Sequence, residues 1–251
     1  MLKNGSPLLK KIKLMKRFLF LSIVFFVEAG SGLAQVNSSS TLHIKHCSDF
    51  AVTGNGSNAA WNATPWVTIP IRSQAPVHYN TQVKVLYSDS GLYFLYSCED
   101  SILTTSMQAD FLDLWNEDVI EVFLQPDEKK PAYLEYELSP LNYELPISIR
   151  NENGILNSWI PFHYGGDRRM RHATTIVNGE QKPFARVSGW RAEFFIPYKL
   201  MHLLTEPPVR GSRWKTNLYR IDYDQGETLF SWRPTSGNFH EYDKFGVLIF
   251  D

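Results

Sequence analysis

The stretch Val119-Ile-Glu-Val-Phe-Leu124, entered from Leu114-Trp-Asn-Glu-Asp118, constrains this chain more than any other segment. Strand alternation puts Val119, Glu121 and Phe123 on one face and Ile120, Val122 and Leu124 on the other. A carboxylate inside so apolar a strand needs a partner or a ligand, because an unpaired buried charge is costly.

Similar segments recur. Thr81–Ser88 and Gly91–Cys98 flank Asp89-Ser-Gly91 in a hairpin pattern, with Leu92, Phe94, Tyr96 and Cys98 sharing one face. Val119–Leu124 and Ala132–Leu138 are separated by the charged turn at 126–131, and strand patterns return at Ala173–Val177, Trp190–Ile196, Trp214–Tyr223, Phe230–Trp232 and Phe245–Phe250. The one helix pattern is Pro197–Leu204, with proline near its start and Pro207-Pro208 after it. Residues 142–166, with prolines at 146 and 161, read as a long excursion beside a site. About nine to eleven short strands with frequent turns predict an all-β fold, an antiparallel β-sandwich of two sheets with one short helix.

Residues 1–34 carry six basic residues and one acid, and the apolar run Phe18–Val27 follows the last basic residue. At about ten residues that run is too short to span a bilayer and suits a signal peptide. Small residues at 32 and 34 place cleavage after Ala34, giving a secreted or periplasmic protein with no membrane span in the mature chain; Met15 is an alternative start. Residues 35–48 then read as a polar linker or edge segment and 49–251 as one domain. Of the 25 basic and 26 acidic residues, six and one lie before position 35, so the remainder carries a net charge of −6. That argues against nucleic acid as a partner, since duplex binding rests on phosphate neutralisation. Cys47 and Cys98 are a candidate disulfide in an oxidising compartment, although Cys98 also fits a buried strand position.

In Tyr133-Leu-Glu-Tyr-Glu-Leu-Ser139, the residues Leu134, Tyr136 and Leu138 share one face and Glu135 and Glu137 the other. The two glutamates stand about 6–7 Å apart along the strand. If this strand pairs with Val119–Leu124, Glu121 joins them on one concave face. Three carboxylates there suit a solvated surface, a polar floor for sugar hydroxyls or calcium, or a glycosidase pair. Retaining glycosidases hold their carboxyls about 5–5.5 Å apart on two sides of a bond, which same-strand neighbours do not do. An aromatic plate such as Trp115 beside a fixed acceptor offers what a sugar needs: a surface for the ring face and a partner for its hydroxyls. There is no HExxH, CxxC, G-x-S-x-G or phosphate-loop pattern, and His43, His46 and Met107 show no ligand spacing.

Taken in order, these segments resemble a carbohydrate-binding module of family 9, in its family-9-like branch of secreted bacterial proteins. The resemblance rests on Val83–Tyr87 with Gly91–Phe94, Glu99-Asp100, Leu114–Phe123, Gly189–Pro197, Trp214–Arg220, Phe230–Thr235 and Asp243–Gly246, over roughly residues 45–250. It implies a β-sandwich of two antiparallel sheets, non-catalytic sugar binding and, in some members, structural calcium. It also implies a clamp on the reducing end of a glycan. Trp115 matches the clamp's first tryptophan, Phe239 falls at the second, and Glu121 matches a sugar-contacting acid. Glu135 and Glu137 fall where the better-known members carry an arginine and an asparagine, a change that removes donors and adds acceptors. Asp100 falls where some members bind calcium. Strand position adds Asn217 and Arg220 as further sugar contacts, while Trp232 reads equally as core.

The expectation is therefore a monomeric glycan-binding module that supports a separately secreted glycoside hydrolase, with affinity on the order of micromolar to millimolar. A glycoside-cleaving enzyme using Glu135 or Glu137 and a haem-binding sandwich domain are the alternatives.

Overall fold

A computed structural model describes residues 39–72, 76–153 and 155–251; the expected signal segment lies outside them. The strands are β1 (Thr41–His46), β2 (Val67–Thr68), β3 (Thr81–Tyr87), β4 (Gly91–Glu99), β5 (Val119–Gln125), β6 (Ala132–Leu138), β7 (Glu144–Glu152), β8 (Ile155–Pro161), β9 (Arg171–Val177), β10 (Gly189–Pro197), β11 (Arg213–Asp222), β12 (Thr228–Ser231) and β13 (Gly246–Phe250). The order is β8-β7-β6-β5-β11-β13-β1-β3-β4-β10-β9, with β12 beside β11 and β2 beside β3.

All pairings between strands are antiparallel except those of β1. It runs parallel to β13 through Thr41–Ile44 and parallel to β3 through Lys45 and His46. Residues 41–46, read from sequence as linker or edge, therefore form the strand that joins the two halves of a curled sheet. Their polar composition conceals this because only Ile44 is buried.

The two halves face one another across a shared core. Ile120, Val122 and Leu124 of β5 and Leu134, Tyr136 and Leu138 of β6 belong to the same cluster as Val83, Val85, Phe94 and Phe194 from the other half. Phe194 stacks on Phe94 with centroids 5.0 Å apart and meets Tyr136 at 4.9 Å. Trp232 is also in this core. At Gly189, with φ +145°, an added Cβ would come 2.3 Å from the Cys98 carbonyl, so β10 can begin its pairing with β4 there only without a side chain.

Two expectations are corrected here. The Pro197–Leu204 helix is a 3-10 turn, Tyr198–Met201, continued by a hydrogen-bonded turn in which Leu204 and Thr205 N–H donate to the Met201 carbonyl, with Tyr198, Leu200, Met201 and Leu204 packed into the core. The excursion at 142–166 contains the hairpin β7–β8. Prolines 146 and 161 argue against a strand when read locally. The register shift between Arg150 and Asn151 further hides β8, because it breaks the two-residue period that would mark it.

Cys47 and Cys98 are both free thiols. Cys98 lies in the main core and Cys47 against a separate cluster around Trp61, Tyr93 and Phe195. Among the described residues no helix is long and apolar enough to cross a membrane.

Candidate binding cleft

The outer face of β5, β6, β7 and β11 is covered rather than open. Val119, Phe123, Tyr133, Leu145, Ile147, Ile149, Tyr219 and Ile221 form a second apolar cluster with Leu114, Phe239 and Phe245 from the loops above. Between those loops and β8 lies a cleft of about 450 Å³. Its lining includes Trp115, Glu121, Phe123, Glu135, Trp159 and Phe239.

Register explains the floor. Glu121 pairs with Glu137 on one side and Tyr219 on the other, and Phe123 pairs with Glu135 and Asn217. Strand alternation thus brings three glutamates to one face, as the sequence predicts. Glu121, Glu135 and Glu137 are 2%, 5% and 0% exposed. Glu135 Oε2 and both oxygens of Glu137 lack a hydrogen-bond partner of ordinary geometry. His240 is a basic group beside them, its Nδ1 3.9 Å from Glu135 Oε2.

Burial, which penalises the charged form, pushes the Glu135 carboxyl up to about 8 and those of Glu121 and Glu137 well above the ordinary carboxylate range; mutual repulsion adds to the rise at Glu121 and Glu137. Glu135 and Glu137 also lie within hydrogen-bonding reach of each other, a contact that requires a proton on one of them. Burial lowers His240 to about 4, so its imidazole is neutral at pH 7.

The walls are held by polar staples. Trp115 sits in the 3-10 turn Leu114–Asn116, anchored by buried Leu114. Glu117 accepts from the backbone N–H groups of Ser106 and Met107 and from the Thr105 hydroxyl at 2.7–2.9 Å, while Tyr223 donates to the Trp115 carbonyl at 2.9 Å. On the facing loop, Tyr219 donates to the Phe239 carbonyl at 2.8 Å. Arg72 donates to the Thr235 carbonyl at 2.7 Å and lies 5.3 Å from the Phe239 ring centroid.

Trp159 of β8 is the residue that sequence reading missed. It meets Trp115 edge to face with centroids 5.7 Å apart, and it remains 43% exposed. Phe239 is only 9% exposed, and Tyr219 stacks on its ring at 3.9 Å, 11° from parallel. Phe239 is therefore a packed back wall, and the open indole is Trp159.

Two expected contacts lie elsewhere. Asn217 is fully buried beneath the cleft. Its side-chain N–H donates to the Arg233 carbonyl at 2.9 Å and its oxygen accepts from the Arg233 backbone N–H at 2.9 Å, so it positions the loop. Arg220, next to Tyr219 in sequence, points to the opposite face by alternation and is 0% exposed. Its guanidinium donates to Asp100 at 3.0 Å, to Asp222, and to the Glu99 carbonyl at 2.6 Å.

The carboxylate oxygens of Asp100, Asp222 and Asp224 gather within 4.8 Å of one another. Asp100 already accepts from Trp190 and Ile102 besides Arg220. Asp222 accepts from the Asp224 N–H, and Asp224 from Tyr79, Ser101 and Thr104 hydroxyls. This donor set fits an internal ion pair centred on Arg220.

The family profile described as carbohydrate family 9 binding domain-like matches residues 52–250. A candidate carbohydrate-binding protein from Bacteroides uniformis ATCC 8492 superposes with a TM-score of 0.70 at 16% identity, covering 84% of this chain and 99% of that one. A family 9 carbohydrate-binding module from Caldicellulosiruptor kristjanssonii, solved with cellotriose, superposes with a TM-score of 0.61 at 17% identity, covering 84% and 93%. The same organism's module solved with glucose gives 0.60 at 17% identity, covering 84% and 95%. No curated protein matches the chain significantly.

Proposed function

Given that the chain belongs to the carbohydrate family 9 binding domain-like family, we propose that the cleft over β5 and β6 binds a saccharide without cleaving it. One observation carries this reading: two indoles set at 81°, Trp115 and Trp159, stand over a floor of buried carboxyl groups in the same cleft. A pyranose ring presents an apolar face to an indole and its hydroxyls to the floor. Carboxyls held partly protonated by burial both accept from and donate to those hydroxyls. Phe239 and Ile149 close the back of the cleft.

The solved relatives bind cellotriose and glucose, which makes short glucans the first ligands to test here. Stacking and a few hydrogen bonds, set against immobilisation of the sugar, give affinities on the order of micromolar to millimolar. The three glutamates lie side by side on one floor, and a hydrolase would need carboxyls on two sides of the scissile bond. The basic-then-apolar start of the sequence supports export, and with it a role in handling extracellular polysaccharide beside a separate hydrolase.

Tryptophan fluorescence titrated with glucose, cellotriose and cellotriose with its reducing end chemically reduced is the test. Quenching by intact cellotriose alone supports an end-reading cleft, and equal quenching by both forms supports recognition of internal or non-reducing units. No response to any saccharide in a broad panel would overturn the proposal.

A further inference from the structure

We infer that the cleft selects a saccharide carrying a protonated amine, a 2-amino-2-deoxy sugar or an oligomer of it. This rests on the saccharide-binding reading above and specifies the ligand's chemistry.

Among the described residues the floor is built of carboxyl groups, and the basic group within ion-pair distance of them is His240, 3.9 Å from Glu135 Oε2 and neutral at pH 7. Glu135 is 5% exposed and lines the cleft, and its Oε2 and both oxygens of Glu137 lack a hydrogen-bond partner of ordinary geometry, Glu137 lying within reach of Glu135 and the Trp115 backbone N–H. Glu121, 2% exposed, lines the cleft from the neighbouring strand. Buried carboxyls without a counter-charge are costly, and a neutral hydroxyl offers them a donor but no charge. An ammonium group offers three donors and a positive charge that would offset the cost of ionising these carboxyls.

The walls favour the same ligand. Indole faces attract cations, and Trp115 and Trp159 both line the cleft. Among the described residues the guanidinium in the lining is that of Arg72, whose Nη2 donates to the carbonyls of Thr235 and Gly237 and whose plane lies against the Phe239 ring, while its buried Nη1 has no hydrogen-bond partner there.

The other titratable groups facing Glu135 give a consistent charge balance. They are Glu137 and Tyr133 on β6, Glu121 on β5, Tyr219 on β11, and His240, Arg72 and Glu227 in the loops at the cleft. His240 is neutral at pH 7 and Glu227 adds a further acid at the rim. An ammonium placed on the floor would favour the carboxylate forms, so its binding at pH 7 would release a proton from a group that burial keeps protonated when the cleft is free.

Isothermal titration of the intact chain at pH 7 with D-glucosamine, D-glucose and N-acetyl-D-glucosamine tests this, repeated in two buffers of different ionisation enthalpy. Glucosamine is expected to bind about tenfold more tightly than either neutral sugar, the gain of one charge-assisted hydrogen bond, and with a heat that changes with buffer in the sense of proton release. Glu135→Gln, and independently Glu121→Gln, should bring the glucosamine-to-glucose ratio towards one. Equal binding of the three sugars would overturn the amine inference and leave the saccharide reading standing. Tight glucosamine binding untouched by both substitutions would overturn the assignment to this floor. No binding of any of the three, nor of cellotriose or its de-N-acetylated amino counterpart, would overturn both readings.

Discussion

The indoles of Trp115 and Trp159 meet edge to face, 5.7 Å between centroids and 81° between planes, although 44 positions separate them in the chain. Trp115 is fixed by a stapled turn before β5, and Trp159 by its register opposite Ile149 on the outermost strand. Their contact forms the corner into which a sugar ring can fit.

Alanine at either indole should therefore weaken saccharide binding about five- to thirtyfold, the loss of about 1–2 kcal/mol of stacking. Trp159→Ala should leave the unfolding midpoint almost unchanged, because the side chain is 43% exposed. Titration calorimetry with thermal melts of each variant measures both. Unchanged affinity in both variants would show that the corner is not used.

Phe239→Ala should behave differently. The ring is 9% exposed and stacked on Tyr219, so its removal leaves a cavity beneath the loop. Destabilisation of about 3 kcal/mol is expected in urea unfolding, together with weaker binding. A variant as stable as the parent would mean that Phe239 is a free platform after all.

Arg220→Met should unfold readily whatever its effect on binding. It would leave Asp100 and Asp222 buried without their counter-charge, a loss of about 3–5 kcal/mol. A stable variant that only loses sugar affinity would return Arg220 to the binding surface.

Asp100 belongs to the same ion pair, and Arg220 and Trp190 both donate to its carboxylate. Adding EDTA, then excess calcium, should shift the melting temperature by less than about 2 °C, since an ion that binds the native state stabilises it by mass action. A fall of many degrees with recovery on calcium addition would place an ion there.

Stability should fall as pH rises from 6.5 to 8. A carboxyl whose pKa is raised by folding holds a proton in the native state that the unfolded chain has lost, so the native state is increasingly disfavoured between the two values. Glu135, Asp100 and Asp118 rise to about 8, 7 and 8 from 4.5, 3.8 and 3.8, all chiefly through burial. His240, lowered from 6.5 to about 4, acts in the opposite sense only below 6.5. Melting temperatures measured from pH 5 to 8.5 should show the decline, less steeply in Glu135→Gln. A profile rising through this range would contradict the burial of these groups.

Local sequence determined much of the fold. Period-two alternation located β3, β4, β5, β6, β9, β10, β11 and β13 to within about two residues. It also aligned Glu121, Glu135 and Glu137 on one face, because side-chain direction in a strand depends only on parity. What depends on non-local pairing was decided by the tertiary structure. The role of β1 was hidden because its partners, β13 and β3, lie about 200 and 40 residues away. The β7–β8 hairpin, and with it Trp159, was hidden by two prolines and a register shift. The same parity that gathered the glutamates sends Arg220 into the core, which sequence position alone could not reveal without knowing which face of β11 is covered. A strand's pattern shows that it has two faces; only the packing of distant segments decides which of them becomes core, loop anchor or cleft.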